Sequence, residues 1–195
     1  ELARYEVFLR EMAAQVAQGV TQQSLESAAR RAENYWRRIF EQAAPGYTEL
    51  AATLTAAQVT ELLENLRRAD EKTWQRHTGR TAEERVRDRE QSVRKTIERI
   101  TGPLDARQRA LVAEYARDAR PFMFEWRENR RRWREELAAT LQIRGGPREP
   151  FAARMRVLIA EPDRLWTPEY RKALETSRDE LLGLIVRLDG TLTTS

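Results

Sequence analysis

The 195-residue chain has no cysteine, a single histidine at His77, eight glycines and seven prolines. Without a thiol, disulfide scaffolds, zinc ribbons, iron–sulfur clusters and thiol catalysis are excluded. One imidazole cannot build a two-histidine zinc site or a Glu-x-x-His di-iron site, and the place of His77 beside Thr78 and Gly79 predicts a helix C-terminal contact instead. No apolar run approaches the roughly 20 residues of a spanning helix, and residues 1 to 20 carry no signal-peptide pattern. Charge of one sign is lacking as well. The chain holds 35 Lys plus Arg against 31 Asp plus Glu, and the signs are interspersed. Residues 80 to 99, with seven positive and five negative side chains, are typical. Mixed charge of this kind marks solvated helical faces, whereas tracking a nucleic acid needs a one-sign stripe. A glycine-rich phosphate loop, a nucleophile elbow and a dinucleotide fingerprint are missing too. Adjacent carboxylates such as Glu83 with Glu84 and Glu135 with Glu136 point about 100° apart on a helix and have Arg neighbours, so they give a two-carboxylate hydrolase little support. The expectation is a protein that is not an enzyme, with no cofactor and no metal.

What is there is helix. At 41% hydrophobic and 34% charged residues, with a mean hydropathy of -0.75, the chain suits one globular domain or two small ones. Apolar residues recur at three-and-four spacing over 2–18 (Leu2, Tyr5, Phe8, Leu9, Met12, Val16) and 22–43 (Leu25, Ala28, Ala29, Ala32, Tyr35, Trp36, Ile39, Phe40). Gly19 ends the first helix, and Pro45 with Gly46 predicts a break after the second, followed by a short helix over 46–53. Further helices are expected at 56–76, 82–100, 106–119, 121–142, 151–160 and 168–188. The segment 82–100 has only a narrow stripe of Val86, Val93, Ile97 and Ile100 and should be the most exposed. Gly102 with Pro103, Pro121 and the stretch IRGGPREP (143–150) supply the breaks. The fold class is therefore all-α, with no sheet: a multi-helix bundle or curved helical array of about eight or nine helices. Residues 1–195 read as a single domain, divisible at most into sub-bundles 1–102 and 103–195.

Helix starts carry the clearest local signal. Thr55 with Gln58, Thr81 with Glu84 and Asp105 with Gln108 fit the capping box, in which the cap side chain and the third helical residue satisfy each other's free N–H groups. Thr21 starts a weaker version, and Thr167 before Pro168 offers a cap with proline at the first helical position. Leu192 to Ser195 looks like the first half of another such start.

Two segments stand out as candidate binding surface. In WRENRRRW, Trp126 and Trp133 share a helix face with Asn129 and Arg130 between them. Such a group either bridges to a neighbouring helix while arginine stacks on indole, or forms an aromatic and arginine surface that grips an extended peptide or a nucleic-acid strand. In EPDRLWTPEY, Leu165, Trp166 and Tyr170 sit in a rigid, proline-bracketed loop.

The stretches ENRRRW, EPDRLWTPEY, ITGPLDARQ (100–108) and LTAAQVTELLENL (54–66) resemble, in order and over nearly the whole chain, a family of uncharacterised all-helical lipoproteins of Gram-negative proteobacteria. That resemblance implies a signal peptide and a lipid-modified cysteine ahead of the region seen here, and anchoring at the periplasmic side of the outer membrane. It implies no activity and no catalytic residue. Asn129, Arg130, Trp133, Leu165, Trp166 and Tyr170 are the positions matching its recurrent motifs. LTAAQ, and approximately LDARQ, are also similar to the LTxxQ boxes of small periplasmic stress chaperones, which grip unfolded clients on a basic, partly apolar face. The resulting expectation is a non-enzymatic, periplasmic protein that binds protein or unfolded polypeptide, touches membrane only through its anchor, and takes no nucleic acid. A purely structural envelope module and a nucleic-acid-binding helical protein, the latter suggested by a pI of 9.7, are the alternatives.

Overall fold

The computed structural model describes residues 7, 10, 11, 19 and 21–191. Among them there is no strand, and seven α-helices follow one another. These are α1 (Gln22–Thr53), α2 (Ala56–Thr78), α3 (Ala82–Thr101), α4 (Ala106–Asp118), α5 (Met123–Gln142), α6 (Arg148–Ala160) and α7 (Pro168–Asp189), with a 3-10 turn at Pro162–Leu165 before the last. The count falls below the expected eight or nine for two reasons. The helix expected over 2–18 lies outside the described residues except for Val7, Arg10 and Glu11, which are helical. The break expected at Pro45 and Gly46 does not occur, so two expected helices are one, 32 residues long. Pro45 removes one backbone bond to Glu41, but both it and Gly46 sit on solvent-exposed positions, while Ala44, Thr48 and Ala51 keep the opposite side buried. Thr48 Oγ1 donates to the carbonyl of Ala44 at 2.7 Å, which satisfies the buried hydroxyl within the same turn. Helix α6 also begins three residues earlier than expected, since Pro150 falls in its first turn, where no intrahelical N–H is needed.

The helix starts form as their sequences demand. Thr81 with Glu84 and Asp105 with Gln108 make both bonds of the capping box, and Thr55 exchanges them with Gln58 at 2.9 and 3.3 Å. Thr21 does the same with Ser24, and Thr167 accepts from the Tyr170 N–H at 3.0 Å. Helix α3 stops at Gly102, whose φ of 84° only glycine adopts readily. As its narrow stripe predicts, α3 has no buried residue. Leu192–Ser195 lies outside the described residues.

The chain forms two compact units, and each draws on both the 1–102 and the 103–195 stretches. One comprises 1–31, 77–121 and 174–195; its core is Leu104, Val112, Leu184 and Leu188, with Val93, Ile97 and Tyr115 packed around them. Arg89 caps the end of α4 there, donating to the carbonyls of Ala116 and Ala119 at 2.8 and 2.7 Å. The other unit comprises 32–76 and 122–173, and its core is Ala51, Leu137, Leu141, Phe151, Met155 and Leu158. Arg144 fastens this core at one end, donating to the carbonyls of Leu54 and Leu141 at 2.8 Å each.

Candidate functional site

All seven residues singled out in the sequence fall in the second unit. Helix α5 carries Trp126, Asn129, Arg130 and Trp133 on one side. Asn129 is buried, and its Oδ1 has no hydrogen-bond partner among the described residues. Arg130 stacks over the Trp133 ring at 4.8 Å and donates from Nε to Asp70 Oδ1 on α2 at 3.1 Å. Arg134, one turn on, takes the other oxygen of the same carboxylate. Asp70 is buried, so its charge depends on these two guanidinium groups. Burial lowers the basicity of the Arg130 guanidinium, and it raises the Tyr170 phenol above its usual range against an opposing pull from Arg130. Trp133 donates from Nε1 to the carbonyl of Leu158 at 3.2 Å and packs against the core. The Trp126–Trp133 segment thus ties α5 to α2 and α6.

The proline-bracketed loop is likewise half-buried. Leu165 packs against the core, Trp166 meets Tyr170 edge-on at 5.7 Å, and Arg171 lies over the Trp166 ring. Neighbouring arginines are engaged with carboxylates: Arg131 with Glu128 and Glu135, Arg132 with Glu128, Arg154 with Glu136. Hydrogen bonds from Arg131 and Arg132 hold the Glu128 carboxyl down at about 2. No group of three or more His, Cys, Asp or Glu that could hold a metal ion occurs among the described residues, and no helix among them is long and apolar enough to cross a membrane.

An apolar opening in this unit borders the same segment at Trp133. A cleft of about 530 Å³ is walled by α1 through Tyr47, Leu50 and Ala51, by α2 through Leu62 and Leu66, and by Trp133, Leu137 and Met155 from α5 and α6. Its volume falls in the range of ligand and peptide pockets. The α1 wall continues onto the surface as an exposed stripe. Trp36 is 57% exposed, Tyr47 55% and Leu50 62%, with Ile39 and Phe40 close to half exposed. At 100° per residue these five, with Ala43 among them, occupy a single face about 21 Å long. Helix α1 therefore turns its small residues, Ala44, Thr48 and Ala51, inward and its large apolar ones outward. The periodicity over 22–43 marks Trp36, Ile39 and Phe40 as sharing a face, but it does not say whether that face lies inside or at the surface. Asp70 also escaped notice, although a lone carboxylate one turn from both Leu66 and Trp74 on an apolar helix face is itself a signal of a buried partner.

The chain is a member of a family of unknown function, DUF6279, whose model matches residues 1–171. No curated protein and no solved structure matches it.

Proposed function

We propose that this chain is a non-enzymatic binding domain of the bacterial cell envelope, periplasmic and held at the outer membrane by an upstream lipid anchor, that receives apolar stretches of other polypeptides in a chaperone-like manner. The compartment rests on the resemblance to lipoproteins. The binding rests on one observation, the apolar stripe from Trp36 to Leu50 running into the cleft. A monomeric soluble protein seldom leaves a contiguous apolar patch of several hundred Å² to solvent unless a partner covers it. Aromatic rings with two rotatable bonds give such a face large contact area at low entropic cost. Trp126, Asn129, Arg130, Trp133, Leu165, Trp166 and Tyr170 act in this reading as the frame: Trp133 forms part of the cleft wall and the others hold α5, α2 and the start of α7 around it.

The test is aggregation of an unfolded client followed by light scattering. The wild-type chain at stoichiometric ratio suppresses scattering, and Leu50→Glu or Tyr47→Glu, both at exposed positions, abolish the suppression while helical circular dichroism is unchanged. Equal suppression by the wild type and both variants, or none by the wild type, sinks the reading.

A further inference from the structure

The cleft between α1, α2, α5 and α6 offers its contents almost nothing to hydrogen-bond. Leu54, Leu62, Leu66, Leu137, Leu141 and Met155 line it with hydrocarbon and a thioether. The indole donor in its wall is taken, since Trp133 Nε1 donates to the Leu158 carbonyl at 3.2 Å. At one end the carbonyls of Leu54 and Leu141 are taken too, both by Arg144, at 2.8 Å each. A peptide backbone drawn inside would leave its own N–H and C=O groups desolvated and without partners. A hydrocarbon chain has no such groups to lose. A cavity of about 150 Å³ holds one benzene, so the cleft's 530 Å³ has room for a chain of about 12–18 carbons.

The same end of the cleft carries a cation with no counter-charge. Arg144 follows α5, is half-buried, and bridges two residues of the lining, which places its guanidinium at the rim. Two of its five N–H donors serve those carbonyls. The other three have no partner among the described residues, and no carboxylate pairs with it there. Arg148, the next arginine along, differs in being neutralised by Glu49 at 3.0 Å. A guanidinium with open donors beside a hydrocarbon-lined cavity matches one ligand form, a single long chain ending in an anion. Its planar fork holds a carboxylate through two parallel N–H···O bonds, and the carbonyls of Leu54 and Leu141 keep it in place before the ligand arrives.

We infer that the cleft binds a free long-chain fatty acid, with the carboxylate on Arg144 and the tail among Leu62, Leu66, Leu137 and Met155. The inference goes beyond the polypeptide reading and does not depend on it, because a client meets the α1 stripe and the fatty acid lies inside the unit. Isothermal titration calorimetry on the full chain tests it, with laurate and 1-dodecanol kept below their micelle and solubility limits. The wild type is expected to bind one laurate, about tenfold or more tighter than 1-dodecanol, which has the same tail and no charge. Arg144→Gln removes that advantage and leaves the binding of 1-dodecanol unchanged, while Arg144→Lys, which keeps the charge, restores part of it. Leu62→Trp fills the cleft and abolishes binding of both, with helical circular dichroism unchanged. Equal loss of laurate and 1-dodecanol in Arg144→Gln overturns the inference, because it shows Arg144 acting only on the shape of the cleft. Absent laurate binding in the wild type overturns it, and so does undiminished binding in folded Leu62→Trp. Tighter binding of dodecylphosphocholine than of laurate overturns it in favour of a membrane lipid. The client assay keeps the two claims apart. Laurate binding by a wild type that suppresses no aggregation keeps the fatty-acid site and removes the client reading; suppression by a wild type that binds no laurate does the reverse.

Discussion

At the scale of single residues, the second unit is organised by the Asp70 carboxylate between Arg130 and Arg134. A buried carboxylate costs several kcal/mol to desolvate and is tolerated only when paired and hydrogen-bonded. Removing it leaves two half-buried guanidinium groups facing each other. Asp70→Ala is therefore expected to lower stability by about 2–4 kcal/mol, read as a shift of the urea midpoint with unchanged slope. The neighbouring Asn129 makes the opposite case. Its buried Oδ1 is unpartnered among the described residues, so Asn129→Leu removes a desolvated acceptor and should be neutral or stabilising by up to about 1 kcal/mol. His77 adds one pH-dependent contribution to the stability of the first unit. Burial, and then Arg85 and Arg89, lower its pKa below the ordinary value, against the helix C-terminus that would favour the cation. The unfolded chain thus binds a proton at a pH where the folded chain does not, and stability falls as pH drops from about 6.5 toward the depressed folded value. In His77→Gln that part of the acid-side decline in the melting temperature should vanish.

At the scale of elements, the informative helix is α1. Its interior Pro45 and Gly46 both work against a helix, and both lie on the exposed side. Pro45→Ala should restore the bond to the Glu41 carbonyl and stabilise by up to about 3 kcal/mol, and Gly46→Ala by about 0.5–1 kcal/mol, measured by chemical denaturation at low protein concentration. Most helices could be read from the sequence, because three-and-four spacing and the Thr81, Asp105 and Thr167 caps are local properties. The α1 stripe could not be. Periodicity shows that Trp36, Ile39 and Phe40 share a face; whether anything packs on that face depends on where other helices lie, and Ala44 and Ala51 fill the inner positions instead. Pro45 misled for a related reason, since propensity is overridden when flanking turns are held by tertiary packing. Of the Trp126–Trp133 segment the sequence disclosed the stacking of arginine on indole but not its acidic partner, which lies 60 positions away in Asp70.

At the scale of the whole molecule, a chain with a pI of 9.7 is not a polycation surface. Its net charge of +4 is a small residue of many opposed pairs, and within each unit arginines meet carboxylates one turn away or on a neighbouring helix. Exposed pairs of this sort contribute only about 0–1 kcal/mol each to stability, but they cancel the field that a polyanion would follow. The chain is expected to pass through an immobilised heparin or DNA column at about 0.15 M salt, where the screening length is about 8 Å. Firm retention there that salt then releases would favour the nucleic-acid alternative.

Of the five tryptophans only Trp36 is exposed; Trp74, Trp126, Trp133 and Trp166 are all half-buried, three of them under an arginine. The chain therefore carries a built-in optical reporter on the face that matters. An aqueous quencher such as iodide should extinguish chiefly the Trp36 emission, and whatever settles on this face of α1 should shift that emission to the blue and shield it. Occupancy of the face can be followed by light alone, with no label attached, and the signal should disappear in Trp36→Phe.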